Sequence, residues 1–446
     1  MEPPATASSA VTRAAAAPAR LSRYRFVTLG VVWCAYLVVF LSRLCVGPLA
    51  PYLKDAFHLS NAQIGGLTSA TAVAYAPTLI FAGWQVDRIG VRRALLIGTV
   101  VTGVCIGAVA LAPSYSTMLL LLGASGLGCG FIYPTAVKAI MLWFPARERA
   151  TAVGINQSAV NVSGMLGAAI MPALAAAYSW QAGFVFAAGL AFVVCVVAVL
   201  FYRDPRPGES PGTDEAPVPV SEIDQGLPAV TGDEQTDRAA FKPGFAAVLR
   251  SRDIWMMGLA ALFLGMVEFA ALAHLVLFLD SDWGFSVAAA AGMLAFCQFA
   301  GALGKPLSGL VSDRLLHRRR VPALLGMGTL AGLSCVLLAL VRPGNTLALW
   351  GMLFLLGFGA VGWGGLMGTL AGETGGHTAA GAAAGVSAAF FNVGIFFGPP
   401  LFGYIVDATG SYPPAWWALA ASAAVALVLL LFVREGRGLE PGPRRA

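Results

Sequence analysis

Apolar residues come along this chain in stretches of about twenty or more, each ended by a short polar turn. A helix of about 20 residues crosses a ~30 Å hydrocarbon layer. Twelve such stretches are read: 26–53, 62–84, 94–112, 116–144, 151–176, 181–202, 254–279, 285–311, 321–341, 346–370, 379–404 and 413–433. Helices are the spanning form these lengths imply, because lipid offers no partner to backbone amides and a barrel needs short alternating segments. The pattern therefore predicts an all-α membrane protein of twelve transmembrane helices.

Composition agrees. The chain of 446 residues is 58% hydrophobic and 11% charged, where soluble domains carry about 25% charge. The net charge of +6 points to topology and not to nucleic acid, because of where the cations fall. Arg23 and Arg25 precede the first span; Arg88, Arg92 and Arg93 follow the second; Arg147 and Arg149 follow the fourth. Arg203, Lys242, Arg250 and Arg252 lie between the sixth and seventh, and Arg434, Arg437, Arg444 and Arg445 close the chain. The opposite loops hold little beyond Lys54 and Arg342. Positive loops stay in the cytoplasm, so both termini are expected there, in a multi-pass protein of the cell inner membrane.

The division expected is a disordered N-terminus over 1–25, a six-helix bundle over 26–202, a linker over 203–253, a second bundle over 254–433 and a tail over 434–446. The linker is marked by an abrupt change to Pro, Gly, Asp, Glu and Ser. The first apolar run is too long for a signal peptide. Seven cysteines all fall inside predicted spans without metal-ligand spacing. No phosphate loop and no catalytic constellation is present, so no cofactor, no metal and no enzyme activity is expected.

One phrase occurs twice, half a chain apart. Gly83-Trp84-Gln85-Val86-Asp87-Arg88 leads to Arg92-Arg93, and Gly309-Leu310-Val311-Ser312-Asp313-Arg314 leads to Arg318-Arg319-Arg320. Each copy sits where one apolar run stops and the next begins. Asn161-Val162-Ser163-Gly164 is likewise echoed by Asn392-Val393-Gly394. This duplicated joint resembles the signature between helices 2 and 3, and again 8 and 9, of the major facilitator superfamily. The resemblance implies two pseudo-symmetric six-helix bundles that rock about a central site. It also implies that Gly83, Asp87, Arg88, Arg92, Gly309, Asp313 and Arg314 form a cytoplasmic gate, latching the bundles in the outward-open state.

Arg43 with Pro51-Tyr52-Leu53, Tyr133-Pro134 with Lys138, and Trp143-Phe144-Pro145 look like the anion:cation symporter branch, whose members move sugar acids, carboxylates and phosphate esters. Gly304-Lys305-Pro306 also looks like monocarboxylate and oxalate carriers. The position of helix 7 that answers Arg43 holds Phe269, and Val160 stands where phosphate exchangers carry a histidine; both argue against phosphate esters.

Charged side chains inside a span need a reason, since each costs at least ~2.5–3.5 kcal/mol on insertion scales. Arg43 lies about 25 Å into the first span by helical rise. It either grips an anionic cargo with its planar fork or pairs structurally. Glu268, about 21 Å into the seventh, either couples protons, pairing with Arg43 while the site is empty, or forms a permanent pair. Lys305, about 12 Å inward of Asp313, and Lys138 either draw an anion or snorkel. His274 is a second titrating candidate or a core group. Gln298 and Asn392 suit substrate hydroxyls or interhelical bonds. Glu373 and His377 are expected in solvent.

The reading is a monomeric secondary transporter of a small organic anion, a carboxylate or sugar acid, taken up with protons. Its partners are the cargo, protons and the bilayer, with no nucleic acid. Nitrate or nitrite transport, drug:proton antiport and a fluxless sensor are the alternatives. Helix 2 lacks the arginine that nitrate carriers use, helix 5 reads Gly164-Met165-Leu166-Gly167-Ala168-Ala169 without the proline of the drug antiporters at that point, and neither tail nor the linker looks like a folded signalling domain.

Overall fold

The computed structural model describes residues 23–204, 247–341 and 343–435. Most of the expected N-terminal stretch, linker and tail lies outside them. Twelve long helices run through the described residues: α1 Tyr24–Phe57, α2 Asn61–Ile89, α3 Val91–Val109, α4 Tyr115–Trp143, α5 Ala146–Ala177, α6 Trp180–Phe201, α7 Arg252–Ser281, α8 Val287–Arg314, α9 Arg320–Leu340, α10 Thr346–Gly375, α11 Ala379–Thr409 and α12 Pro413–Leu431. Among the described residues eleven are both long and apolar enough to cross a membrane. α2, rich in Ala, Gly, Ser and Thr, packs between α4 and α11, where small residues let backbones approach closely.

Three local features shape the helices. α1 is interrupted at Cys45, between Tyr24–Leu44 and Val46–Phe57. Pro48 has no N–H for the Leu44 carbonyl and its ring crowds that turn. Beyond the break Gly47 rests on the Leu272 carbonyl of α7, so close that a Cβ would come within 2.6 Å of it. Helical bonding continues from Gly364 to Thr409, yet the Trp363 and Phe391 rings stand 5.4 Å apart. A straight helix would separate those residues by about 42 Å, so the chain doubles back between α10 and α11.

Two ends of the bundle differ in how its halves meet. The end carrying Arg88, Arg92, Arg314 and Arg318–Arg320 is called here the arginine-rich end, and the other the far end. At the arginine-rich end there are two separate apolar cores. One is built from α1–α6, including Val38, Val86, Trp143 and Tyr202; the other is built from α7–α12, including Ile254, Leu324, Leu370 and Leu430. At the far end a single core joins both halves, from Leu49, Leu67 and Phe184 to Leu275, Phe402 and Trp416.

The seam of that fused core is α2 against α11, antiparallel and stepped every four residues. Gly403 leaves no room for a Cβ over the Asn61 carbonyl, and Gly65 none over the Pro399 carbonyl. One step further Ser69 Oγ donates to the Ile395 carbonyl at 2.9 Å. Residues four apart share one helix face, so a row of small residues on each helix brings the backbones together.

Candidate functional site

The chemistry-bearing side chains gather where the divided end becomes the fused one. On α1, Val39 belongs to the first-half core and Leu41 to the fused core; Arg43 follows directly, just before the break. Its side chain is 4% exposed. The guanidinium carbon lies 4.2 Å from the Tyr75 ring centre, 5.3 Å from Phe40 and 6.0 Å from Phe269 of α7. Nε and Nη2 have no hydrogen-bond partner, and among the described residues no carboxylate lies within ion-pair distance. The pair with Glu268 that the sequence suggested is not formed in this conformer.

Aromatic faces hold this cation by their quadrupoles, leaving Nε and Nη2 unused. A buried guanidinium with spare donors is costly unless something fills them, and a carboxylate offers two acceptors at the spacing of the fork. Tyr36, Tyr75 and Tyr133 are all buried. Tyr36 packs 6.1 Å from Tyr133, with Gln157 beside its hydroxyl. Sequence reasoning passed over Tyr36 and Tyr75. Tyr36 had a signal, since it precedes Arg43 by seven residues and so shares its helix face. Tyr75 had none; it arrives through the packing of α2.

Glu268 is half-buried on α7, and the charged groups facing it are Lys305 and Arg43, with the Trp363 indole alongside. Lys305 on α8 reaches across the halves, its Nζ donating to Asn161 Oδ1 of α5 at 3.0 Å. Gln298, 3% exposed, lies against Gly164 of α5, where a Cβ would collide with its amide. Asn392 donates to the Ala388 carbonyl at 2.9 Å and keeps a buried Oδ1 without a partner. Arg43, Glu268, Lys305, Gln298 and Asn392 thus face the interior of the helix assembly.

Other candidates stand elsewhere. His274 is fully buried between α7 and α11, its Nε2 2.9 Å from the Pro399 carbonyl and its ring stacked on Phe402. It is six residues beyond Glu268, about 9 Å further toward the far end. Lys138 donates to the Val86 carbonyl in the last turn of α2 at 3.1 Å, and Arg92 to the Val199 carbonyl of α6 at 2.7 Å. Each sits at a helix C-terminus, where a cation is favoured; the Val86 carbonyl also accepts the capping N–H of Gly90.

At the second copy of the duplicated joint, Arg320 holds Asp313 at 2.5 Å and Glu373 at 3.2 Å. It ties α8, α9 and α10 together within one half. Glu373, expected free in solvent, is therefore an ion-pair partner at the end of α10. His317 and Arg318 both take left-handed backbone conformations, which fold the α8–α9 turn tightly enough for this contact. Arg88, Arg314 and Gly309 are placed at the same end. The side chains of Gly83, Asp87 and His377 lie outside the described ones.

The arrangement has a recognisable parentage. A hexuronate transporter of Bacillus subtilis is 24% identical over 424 residues, covering 92% of this chain and 95% of its own. A probable sulfoacetate transporter, SauU, of Cupriavidus necator is 26% identical over 66% of each chain. A hexuronate transporter of Escherichia coli is 30% identical over about half of each, 52% and 51%. Among solved structures, a bacterial homologue of the human lysosomal transporter Spinster aligns with a TM-score of 0.72 at 20% identity, covering 92% of this chain and 95% of that one. Residues 32–388 match the family model of the Major Facilitator Superfamily. That match runs from α1 into α11, well over half of the chain, and this multi-pass membrane protein belongs to the Major Facilitator Superfamily of transporters; it is not an enzyme.

Proposed function

We propose that this transporter moves a small organic anion, a carboxylate or sugar acid, across the inner membrane together with protons. The observation that carries the reading is Arg43: a buried cation at the fork between the halves, with two guanidinium nitrogens free to bind. The names of the Bacillus and Cupriavidus relatives, hexuronate and sulfoacetate, are of anionic cargo. Tyr36, Tyr75, Gln157 and the amides of Asn161, Asn392 and Gln298 supply hydroxyl-matching partners around the cation.

Charge counting supports a proton partner. Arg43 and Lys305 carry two positive charges and Glu268 one negative, so the empty site holds one net positive charge while Glu268 is ionised. One carboxylate balances that. Protonating Glu268 frees the second cation, so that a cargo with two negative charges also leaves the loaded site neutral, the condition for crossing a low-dielectric layer. Bundles 26–202 and 254–433 then rock about the site, both termini cytoplasmic, exposing it at one end and then the other.

A thermal-shift panel of monocarboxylates, hexuronates and other sugar acids tests the cargo class, since a ligand that binds only the folded state raises its melting point. A carboxylate is expected to stabilise the parent and not Arg43→Ala. Stabilisation by hydrophobic cations alone would overturn the reading. For the proton, Glu268→Gln in proteoliposomes is expected to lose accumulation under an imposed pH gradient while still exchanging cargo at equal pH. Retained pH-driven accumulation would remove Glu268 from the coupling role.

A further inference from the structure

At the far end the start of α2 is capped twice, and the second cap comes from the other half of the protein. Ser60 and Gln63 form a reciprocal capping box, with Gln63 N donating to Ser60 Oγ and Ser60 N to Gln63 Oε1. That satisfies the helix from its own sequence. The N–H groups of Asn61 and Ala62 remain, and Asp407 of α11 accepts both, at 2.9 and 2.8 Å. Asp407 also accepts from Asn61 Nδ2 at 2.7 Å, while Asn61 Oδ1 accepts from Lys54 at 3.0 Å.

We propose that Asp407 is a positioning residue for transport: a latch that holds the far end shut by capping α2 across the seam. The carboxylate faces a helix N-terminus, whose partial positive charge favours it, and its bonds are charge-assisted. None of these contacts survives separation of α2 from α11, whereas the capping box does. The bonds therefore belong to one conformer and bias the equilibrium toward it by their difference in free energy between the two. They crown the stepped seam of Asn61 with Gly403, Gly65 with Pro399 and Ser69 with Ile395, so the latch closes only when the small-residue rows are in register. Its exposure to water sets a moderate size, because water competes for the same donors. The latch is independent of what the cargo is.

Spin labels at Leu111→Cys and Leu347→Cys measure the effect. Both positions are exposed, at the α3–α4 turn and the start of α10, one in each half. The full chain is used in lipid nanodiscs, with Cys34, Cys105 and Cys195 replaced by Ala so that only the introduced thiols react. Asp407→Asn keeps size but turns one acceptor into a donor facing a donor. It is expected to raise the ratio of far-open to far-closed distances about threefold to tenfold. Gly65→Ala, which puts a Cβ against the Pro399 carbonyl without touching the charge, is expected to shift the ratio the same way. If Gly65→Ala opens the far end and Asp407→Asn does not, the latch is overturned; if neither moves it, the seam itself is not what closes. Should Asp407→Asn fail to fold, Asn61→Ala serves: it keeps both backbone donors, loses the side-chain donor, and is expected to shift the ratio about twofold. No shift there overturns the proposal equally.

Discussion

The two ends of this bundle are built from the same helices yet joined by opposite means. At the far end, small residues and backbone groups of one half meet those of the other, and the apolar core runs through without a break. At the arginine-rich end the charged residues satisfy partners in their own half: Arg25 with Glu148, Arg92 with the α6 terminus, Arg320 with Asp313 and Glu373. The apolar cores there stay separate. A charge that is already paired at home has little reason to bridge a gap, while a backbone carbonyl over a glycine has no alternative but close contact. The difference teaches how one chain joins its halves at one end and keeps their apolar cores apart at the other.

Arg43 sits where the two regimes meet, and removing it should give the largest effect. Arg43→Ala deletes the cation but leaves the seam and both cores intact. Uptake of the stabilising carboxylate in proteoliposomes is expected to fall at least about 100-fold, the scale of truncating one side of a buried charged contact. The far-end spin-label distances should stay as in the parent. A variant that loses uptake because the far end springs open would instead make Arg43 part of the seam, and the division between ends would not hold at this residue.

Lys305 sharpens the boundary from the other half. Its bond to Asn161 is a side-chain contact across the halves, about 12 Å inward of Asp313 by helical rise. Lys305→Met keeps the stem and removes the charge. The expected result is a KM for uptake raised about tenfold with the maximal rate changed less, as for a lost contact felt equally by bound states. A maximal rate reduced tenfold at unchanged KM would move Lys305 from cargo binding to the rocking step.

How far the sequence foretold this contrast depends on the kind of interaction. The apolar runs fixed twelve helices within a few residues of their observed ends, because lipid length and backbone satisfaction leave little choice. The break of α1 at Cys45 has its letter in Pro48, three residues on. What escaped were contacts made by backbone atoms. Lys138 and Arg92 looked like candidates for an anion and a gate, but both end on carbonyls of neighbouring helices, which have no letter in a sequence. The row Asn61, Gly65, Ser69 was there to be read at four-residue spacing; its meaning needed α11 beside it. Tyr75 reached Arg43 by packing alone. The duplicated joint was the most visible motif, yet among the described residues the ion pairs of its second copy lie within its own half.

That last point yields the smallest and most discriminating effect. If Asp313 also serves as a gate when the arginine-rich end closes, it must exchange Arg320 for a partner across the gap, or add one. Asp313 is exposed, and an exposed pair contributes about 0–1 kcal/mol, so the gain on closure is modest. Asp313→Asn should therefore lower the far-open population about twofold, because far-open is the conformer in which the arginine-rich end is shut. Asp407→Asn raises that same population. The two residues stand at opposite ends of the molecule, beyond the range at which substitutions couple directly, so their effects should add as logarithms. The double variant should then recover part of the shift, to within about twofold of the sum. Should Asp313→Asn raise the far-open population, or leave it untouched while melting earlier, its ion pair is a brace within the second half. The closing of the arginine-rich end would then rest on the first copy of the joint alone.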